Sequence, residues 1–264
     1  MELSNARILL TGATGGLGQA LARRLKAAGA ELLLAGRNRE ELARLQNELG
    51  RQASAIRADL NCPEDIERLA GLAQEFGVNV LINNAGIGAF GLVEEQPWQE
   101  VEQVLATNLA TPIRLSHALL PWLKAQPQAA IVNVGSAFGS IPFAGFAAYS
   151  AAKAGLRGFS QALRRELADS PVRVVYVAPR AIATPFNSPA VEALNRALGN
   201  RSDSPEAVAG QIVSALQQGE SERHVGFPER FFAWLNGTLP AAVDRGLAAK
   251  LPTIKHHASP RGVS

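Results

Sequence analysis

At 264 residues, 47% of them hydrophobic, the chain has room for one large α/β unit and is too apolar for a disordered segment. The formal net charge is only +3 and the Lys/Arg are spread out, which argues against a nucleic-acid surface and leaves a basic pocket for an anionic cofactor as a fitting use. The single cysteine, Cys62, excludes an intrachain disulfide and suits a reducing compartment.

In chain order, short apolar runs alternate with helical patterns. Residues 7–10 read as a buried strand, 17–28 as a helix, 31–35 as a second strand and 40–49 as a helix. Residues 53–58 form a third expected strand, followed by a helix over 63–76 with Pro63 at its start. A fourth strand is expected at 78–82, a long helical stretch at 98–124, a fifth strand at 130–134, a helix at 148–168 and a sixth strand at 172–178. A further helix, opened by Ser204-Pro205-Glu206, runs to 217. Apolar strands separated by helices predict an α/β fold: a doubly wound, Rossmann-like parallel sheet with helices on both faces and a short helical C-terminal extension. Residues 1–264 are read as a single domain, with a core over 5–227, the extension over 228–255 and a tail over 256–264.

The four histidines (His117, His224, His256, His257) have no zinc-ligand spacing, so no metal is expected, and His256–His257 read as solvated tail. The first residues lack the pattern of a signal peptide, and no stretch of about 18 apolar residues is present. The expected location is cytoplasmic.

The first strand runs into Thr11-Gly12-Ala13-Thr14-Gly15-Gly16-Leu17-Gly18. Glycines there permit a tight turn and close approach of backbone amides to a pyrophosphate, with a helix N-terminus behind them. The spacing is not the usual G-x-G-x-x-G, and a purely structural strand-to-helix turn is the bland alternative. At the end of the second strand, Gly36-Arg37 stands where NAD-preferring folds often place an acid. A guanidinium at that point pairs well with a 2′-phosphate, so NADP(H) is expected over NAD(H). The bland alternative is a surface arginine in a polar turn.

Tyr149 and Lys153 are four apart in a helical pattern and share a face. A neighbouring ammonium favours the phenolate, which is how a tyrosine becomes an acid/base near working pH. Ser136, just past the fifth strand, is placed to polarise a carbonyl.

These motifs together resemble a short-chain dehydrogenase/reductase of the compact single-domain kind, over roughly residues 5–227. Thr11–Gly18 matches the glycine turn of that family, Asn83-Asn84-Ala85-Gly86 its segment after strand four, and Asn108, Ser136, Tyr149 and Lys153 its catalytic tetrad in order and approximate spacing. The resemblance implies that Tyr149 exchanges a proton at the substrate oxygen, that Lys153 lowers its pKa and binds the nicotinamide ribose, that Ser136 orients the oxygen and that Asn108 helps hold a relay water. It implies cofactor contacts from Gly12, Thr14, Gly16, Leu17, Gly18 and Arg37. It further places Asp59 and Leu60 at the adenine, Asn83, Ala85 and Gly86 along the adenine ribose, and Pro179, Ile182 and Thr184 near the nicotinamide.

The family usually has glycine after that proline, and here Arg180 replaces it, free either to meet an anionic substrate group or to project outward. The reading is an NADP(H)-dependent oxidoreductase acting on a small-molecule carbonyl or alcohol, of lipophilic character. The alternatives are a non-catalytic NADP sensor, which often lacks the Tyr or Lys, and a sugar-nucleotide epimerase, which usually has a larger C-terminal domain. The resemblance also implies a homodimer or homotetramer through the helices at 98–124 and 148–168, the second rich in small residues.

After Gly226 the texture changes to aromatics and prolines. Thr238 reads as the cap of a helix with Pro240 in its first turn, and Leu239, Val243, Leu247 and Leu251 form an apolar stripe. Packing on the core or a lid over the substrate cleft is the first reading of this extension; a subunit contact or a membrane-surface anchor is the alternative.

Overall fold

The structure, a computed structural model, describes residues 1–258, apart from the side chains at 227 and 228. Seven strands form one sheet: β1 (Arg7–Thr11), β2 (Glu31–Gly36), β3 (Ala53–Arg57), β4 (Val80–Asn83), β5 (Ala129–Val134), β6 (Val172–Ala178) and β7 (Glu222–His224). Their order is β3-β2-β1-β4-β5-β6-β7, and every neighbouring pair is parallel. The winding reverses between β1 and β4, so a crevice opens over the C-terminal ends of those two strands.

The strands are apolar on both faces because both are covered. Ile8 and Leu10 of β1 point into one core with Leu32 and Leu34, while Leu9 points into the other with Leu33 and Leu81. The first core is closed by α1 (Gly16–Ala27), α2 (Arg39–Leu49) and α8 (Pro205–Gln218). The second is closed by α3 (Pro63–Phe76), α5 (Thr111–Lys124) and α6 (Ala147–Glu166). This two-sided burial is what the uninterrupted apolar runs of the sequence encode.

Several expected boundaries move for local reasons. Strand β4 starts at Val80, not Val78, because α3 ends in a left-handed Gly77 and the Val78 amide is spent on the Ala73 carbonyl at 2.9 Å. The stretch 98–124 is a continuous helical run, but α4 (Trp98–Leu105) and α5 are joined by a π-turn over Ala106–Ala110. Two short elements were not expected: β7, and α7 (Pro189–Ala197), which Ser188 caps by accepting from the Val191 amide.

The extension departs most from expectation. It is three helices, α9 (Phe227–Thr238), α10 (Pro240–Ala248) and α11 (Leu251–Ala258). Thr238 is not a cap: its hydroxyl donates back to the carbonyls of Trp234 and Leu235, and Leu239 precedes α10 instead. The break between α10 and α11 splits the apolar stripe, so Val243 is buried while Leu239 and Leu251 are exposed. His256 and His257 belong to the last turn of α11 rather than to a tail; the rest of the expected tail, 259–264, lies outside the described residues. Ile254 of α11 is buried against Phe146 and Leu194, and Asn236 of α9 donates to the Ser140 carbonyl at 2.9 Å. The extension thus packs on α7 and on the loop that follows β5.

Candidate active site

The ends of β1, β4, β5 and β6 open into one cavity of about 1170 Å³. At its β1 end lies the glycine turn. Gly18, in the first turn of α1, lies so close to the preceding loop that a Cβ there would run into the Gly12 carbonyl oxygen, so any side chain would force the turn open. Thr11 and Asn84 staple this turn to the segment after β4. The amides of Asn84 and Ala85 donate to Thr11 Oγ1 at 3.0 and 3.1 Å, and Asn84 Nδ2 donates to the carbonyls of Thr11 and Gly12. Sequence reasoning quoted both residues in motifs without giving them this task; two polar side chains flanking the switch point were the available signal.

Gly12, Thr14, Gly16, Leu17, Gly18, Arg37, Asp59, Leu60, Ala85, Gly86, Ser136, Tyr149, Lys153, Pro179, Ile182 and Thr184 all line the cavity. Two expected members do not. Asn83 is buried and turned inward, where its Nδ2 donates to Asn133 Oδ1 at 2.8 Å, outside the cavity lining. Asn108, in the π-turn, is fully buried: its Nδ2 donates to the Ile87 carbonyl at 2.7 Å and its Oδ1 accepts from the Ile87 amide at 2.9 Å. It braces the chain beside the site. Gly86 marks how near it lies, since a Cβ there would be 3.0 Å from Asn108 Oδ1 and 3.8 Å from Lys153 Nζ.

Ser136, Tyr149 and Lys153 converge. Ser136 follows β5, its hydroxyl caps the next turn by accepting from the Phe138 amide, and it also bonds to the Tyr149 phenol. Lys153 lies 5.8 Å from the Tyr149 ring centre, and its ammonium donates to the Val134 carbonyl at 2.9 Å. The expected lowering of the Tyr149 pKa is not what this geometry gives. Burial pushes the phenol up to about 12, against a smaller opposing effect of the Ser136 bond. Burial also lowers the Lys153 ammonium to about 8. For both groups desolvation by burial is the largest cause, because each is shut away from water in the same place.

Beneath Ser136 stands Tyr176 of β6, fully buried with its phenol pushed up by desolvation. Its ring fills the space over Gly135, where a Cβ would lie 2.1 Å from the phenol oxygen. Phenylalanines crowd Tyr149 from the substrate side: Phe138, Phe146 and Phe186 each meet its ring roughly edge-on at 6.2–6.4 Å. Phe143, Ile141 and Val191 extend this apolar wall, and Phe232, Leu235, Val243 and Leu247 of the extension close it. The sequence held a signal for part of this wall, the three phenylalanines within 138–146.

Arg180 neither reaches for a substrate nor projects freely outward. It makes two hydrogen bonds to Asp203, of 2.9 and 2.7 Å, and an ion pair with Glu229 of α9 at 3.5 Å. It ties the end of β6 to the start of the extension. Arg37, by contrast, is exposed on the cavity rim and has no carboxylate partner among the described residues. Among those residues there is also no group of three potential metal ligands.

Comparison with known proteins places these features in a wider set. The family model described as short chain dehydrogenase matches residues 6–195. An uncharacterized oxidoreductase of Bacillus subtilis, YxnA, is 30% identical over 97% of this chain and 75% of its own length. A 3-oxoacyl-[acyl-carrier-protein] reductase of Vibrio cholerae is 37% identical over 70% of this chain and 76% of its own. A short chain dehydrogenase from Burkholderia cenocepacia, solved in complex with NADP, superposes with a TM-score of 0.81 at 25% identity, covering 94% of this chain and 99% of that one.

Proposed function

The chain belongs to the short-chain dehydrogenase family, and from that premise we propose that it is an NADP(H)-dependent oxidoreductase interconverting a lipophilic carbonyl compound and its alcohol. The observation that carries this reading is the convergence of Ser136, Tyr149 and Lys153 at the floor of a cavity that is apolar on one side and glycine-rich on the other.

The residues present fit a dinucleotide. The cradle at Gly18 tolerates no side chain, and an α-helix starts directly behind it. The cation at Arg37 has no carboxylate partner among the described residues, which favours a 2′-phosphate and hence NADP(H) over NAD(H). The bound nicotinamide supplies or accepts the hydride. Gly12, Thr14, Gly16, Leu17 and Ala85 would hold the dinucleotide, with Asp59 and Leu60 at the adenine and Pro179, Ile182 and Thr184 near the nicotinamide.

In reduction, Tyr149 gives a proton to the carbonyl oxygen. A phenol held at about 12 is fully protonated at neutral pH, which suits the acid role. Ser136 steadies the same oxygen, and Lys153, moored to Val134, keeps a positive charge beside the phenol as it becomes a phenolate. Asn108 acts through Ile87 as a positioning residue. The phenylalanine wall excludes water and favours an apolar substrate body.

The same reading takes residues 1–264 as one domain, working in the cytoplasm as a homodimer or homotetramer. The test is fluorescence titration with NADPH and NADH, followed by turnover on fatty-chain, steroid-like and small polar carbonyls. NADPH-dependent turnover of an apolar carbonyl is the expected result. Tight NADPH binding without turnover of any class would support a sensor instead.

A further inference from the structure

Of the eight large hydrophobic side chains most exposed among the described residues, five lie in α9–α11: Phe231, Phe232, Trp234, Leu239 and Leu251. That density is unusual for a surface that faces only water. Three of these rings form one cluster, with Phe231 centred 5.7 Å from Phe232 and 6.0 Å from Trp234. Phe231 and Trp234 are three apart in α9, so they stand on one face of the helix, and both are about half exposed or more, at 48% and 61%. The neighbouring side of α9 lines the cavity through Leu235 and Glu229. The helix is therefore apolar in two directions, and the core accounts for only one of them.

The charge around the outward patch narrows what covers it. Arg230, Arg245 and Lys255 are exposed in the same three helices, and Asp244 is the lone exposed acid there. The other acid of the extension, Glu229, is taken by Arg180. Exposed aromatic side chains and exposed cations on one short segment, the cations without an ion pair among the described residues, suit the interface of an anionic lipid surface, where rings settle at headgroup depth and cations meet lipid phosphates. A second copy of the chain seated on the patch by two-fold symmetry would set these cations against their own equivalents. No helix among the described residues is long and apolar enough to cross a membrane, so contact through this surface is peripheral.

We infer that α9–α11 dock the protein on an anionic bilayer surface through Phe231, Trp234 and Leu239, with the exposed Arg230, Arg245 and Lys255 of the same segment adding attraction to lipid phosphates. The cavity capped by these helices then stands at the lipid surface, where apolar compounds partition.

Docking does not depend on the reaction, so its test reads binding rather than turnover. Full-length protein is sedimented with vesicles of phosphatidylcholine alone and of phosphatidylcholine mixed with phosphatidylglycerol. The wild type should pellet with the mixed vesicles, pellet far less with the zwitterionic ones, and be released by added salt. The double variant Phe231→Ser/Trp234→Ser should lose about tenfold or more of its partitioning while still binding NADPH. As a second probe that leaves the apolar residues in place, Arg230→Glu/Lys255→Glu should weaken binding to mixed vesicles only. Trp234 emission should shift to shorter wavelength on vesicle addition, and Trp234→Phe should remove that shift. Failure of the wild type to pellet with mixed vesicles, or pelleting of the double serine variant equal to wild type, overturns the inference. So does an oligomer mass in light scattering that the double serine variant loses, because a second copy would then cover the patch.

Discussion

Lys153 is hydrogen-bonded through its ammonium to the carbonyl of Val134, the last residue of β5, at 2.9 Å. The bond fixes α6 against the sheet end and aims a buried cation past the Tyr149 ring. Burial has lowered this ammonium from 10.5 to about 8. With Lys153 as the charge that supports the Tyr149 phenolate, kcat/KM for carbonyl reduction should be level below about 8 and decline above it as the ammonium is lost. Tyr149, at about 12, stays protonated throughout that limb. A profile that remains level up to the ordinary lysine range would remove Lys153 from the proposed role.

The same shift carries a stability consequence with a defined sign. Between about 8 and 10.5 the unfolded chain binds more protons at Lys153 than the folded one, so the Lys153 contribution to stability rises with pH across that window. Lys153→Met removes the buried charge. It should stabilise the fold by about 1–3 kcal/mol at neutral pH, net of the lost Val134 bond, while abolishing most turnover. Denaturant melts at neutral and alkaline pH check this: the advantage should fade towards the upper end of the window.

Gly135 and Tyr176 share one space, since a Cβ on Gly135 would meet the Tyr176 phenol at 2.1 Å. Gly135→Ala should therefore push Ser136 out of place, costing about 1–3 kcal/mol and most of the activity. Tyr176→Ala opens a cavity costing about 3–5 kcal/mol. In the double variant the added methyl enters that cavity, so the combined loss should be clearly less than the sum. Strict additivity in denaturant unfolding would contradict the packing described.

Arg37, exposed on the cavity rim, is the residue placed to tell NADPH from NADH. Arg37→Ala should weaken NADPH by about 1.5–3 kcal/mol, roughly ten- to a hundredfold, and leave NADH nearly unchanged. Equal losses for both cofactors in a fluorescence titration would remove the arginine from the 2′-phosphate.

What the sequence disclosed follows from what kind of physics each element depends on. The parallel sheet was legible because β1, β2, β4, β5 and β6 are buried on both faces and their apolar runs have few other uses, whereas the order of its strands appears only in the structure. Tyr149, Lys153 and Ser136 were legible because a helical spacing and a strand end place them without reference to distant chain. The inward turn of the Asn83 amide was not legible, because whether it faces the cavity or Asn133 is decided across the sheet by β5. The pKa of Tyr149 was expected to fall because a sequence shows the neighbouring charge of Lys153 but not the burial that outweighs it. The pairing of Arg180 with Asp203 and Glu229 spans residues far apart in the chain, and no local pattern announces it. The extension was misread at Thr238 because a hydroxyl that closes the end of one helix looks, in sequence, like one that opens the next.

With Tyr149 passing the proton to and from the substrate oxygen, the decisive variant is Tyr149→Phe. The substitution removes one oxygen and keeps the ring against Phe138, Phe146 and Phe186. Turnover is measured on the best carbonyl substrate with NADPH, alongside NADPH binding by fluorescence. kcat should fall by about 10²–10⁴-fold with cofactor affinity close to wild type. A variant that keeps more than about a tenth of the wild-type rate would contradict it, because general acid catalysis by this tyrosine could not then account for the reaction.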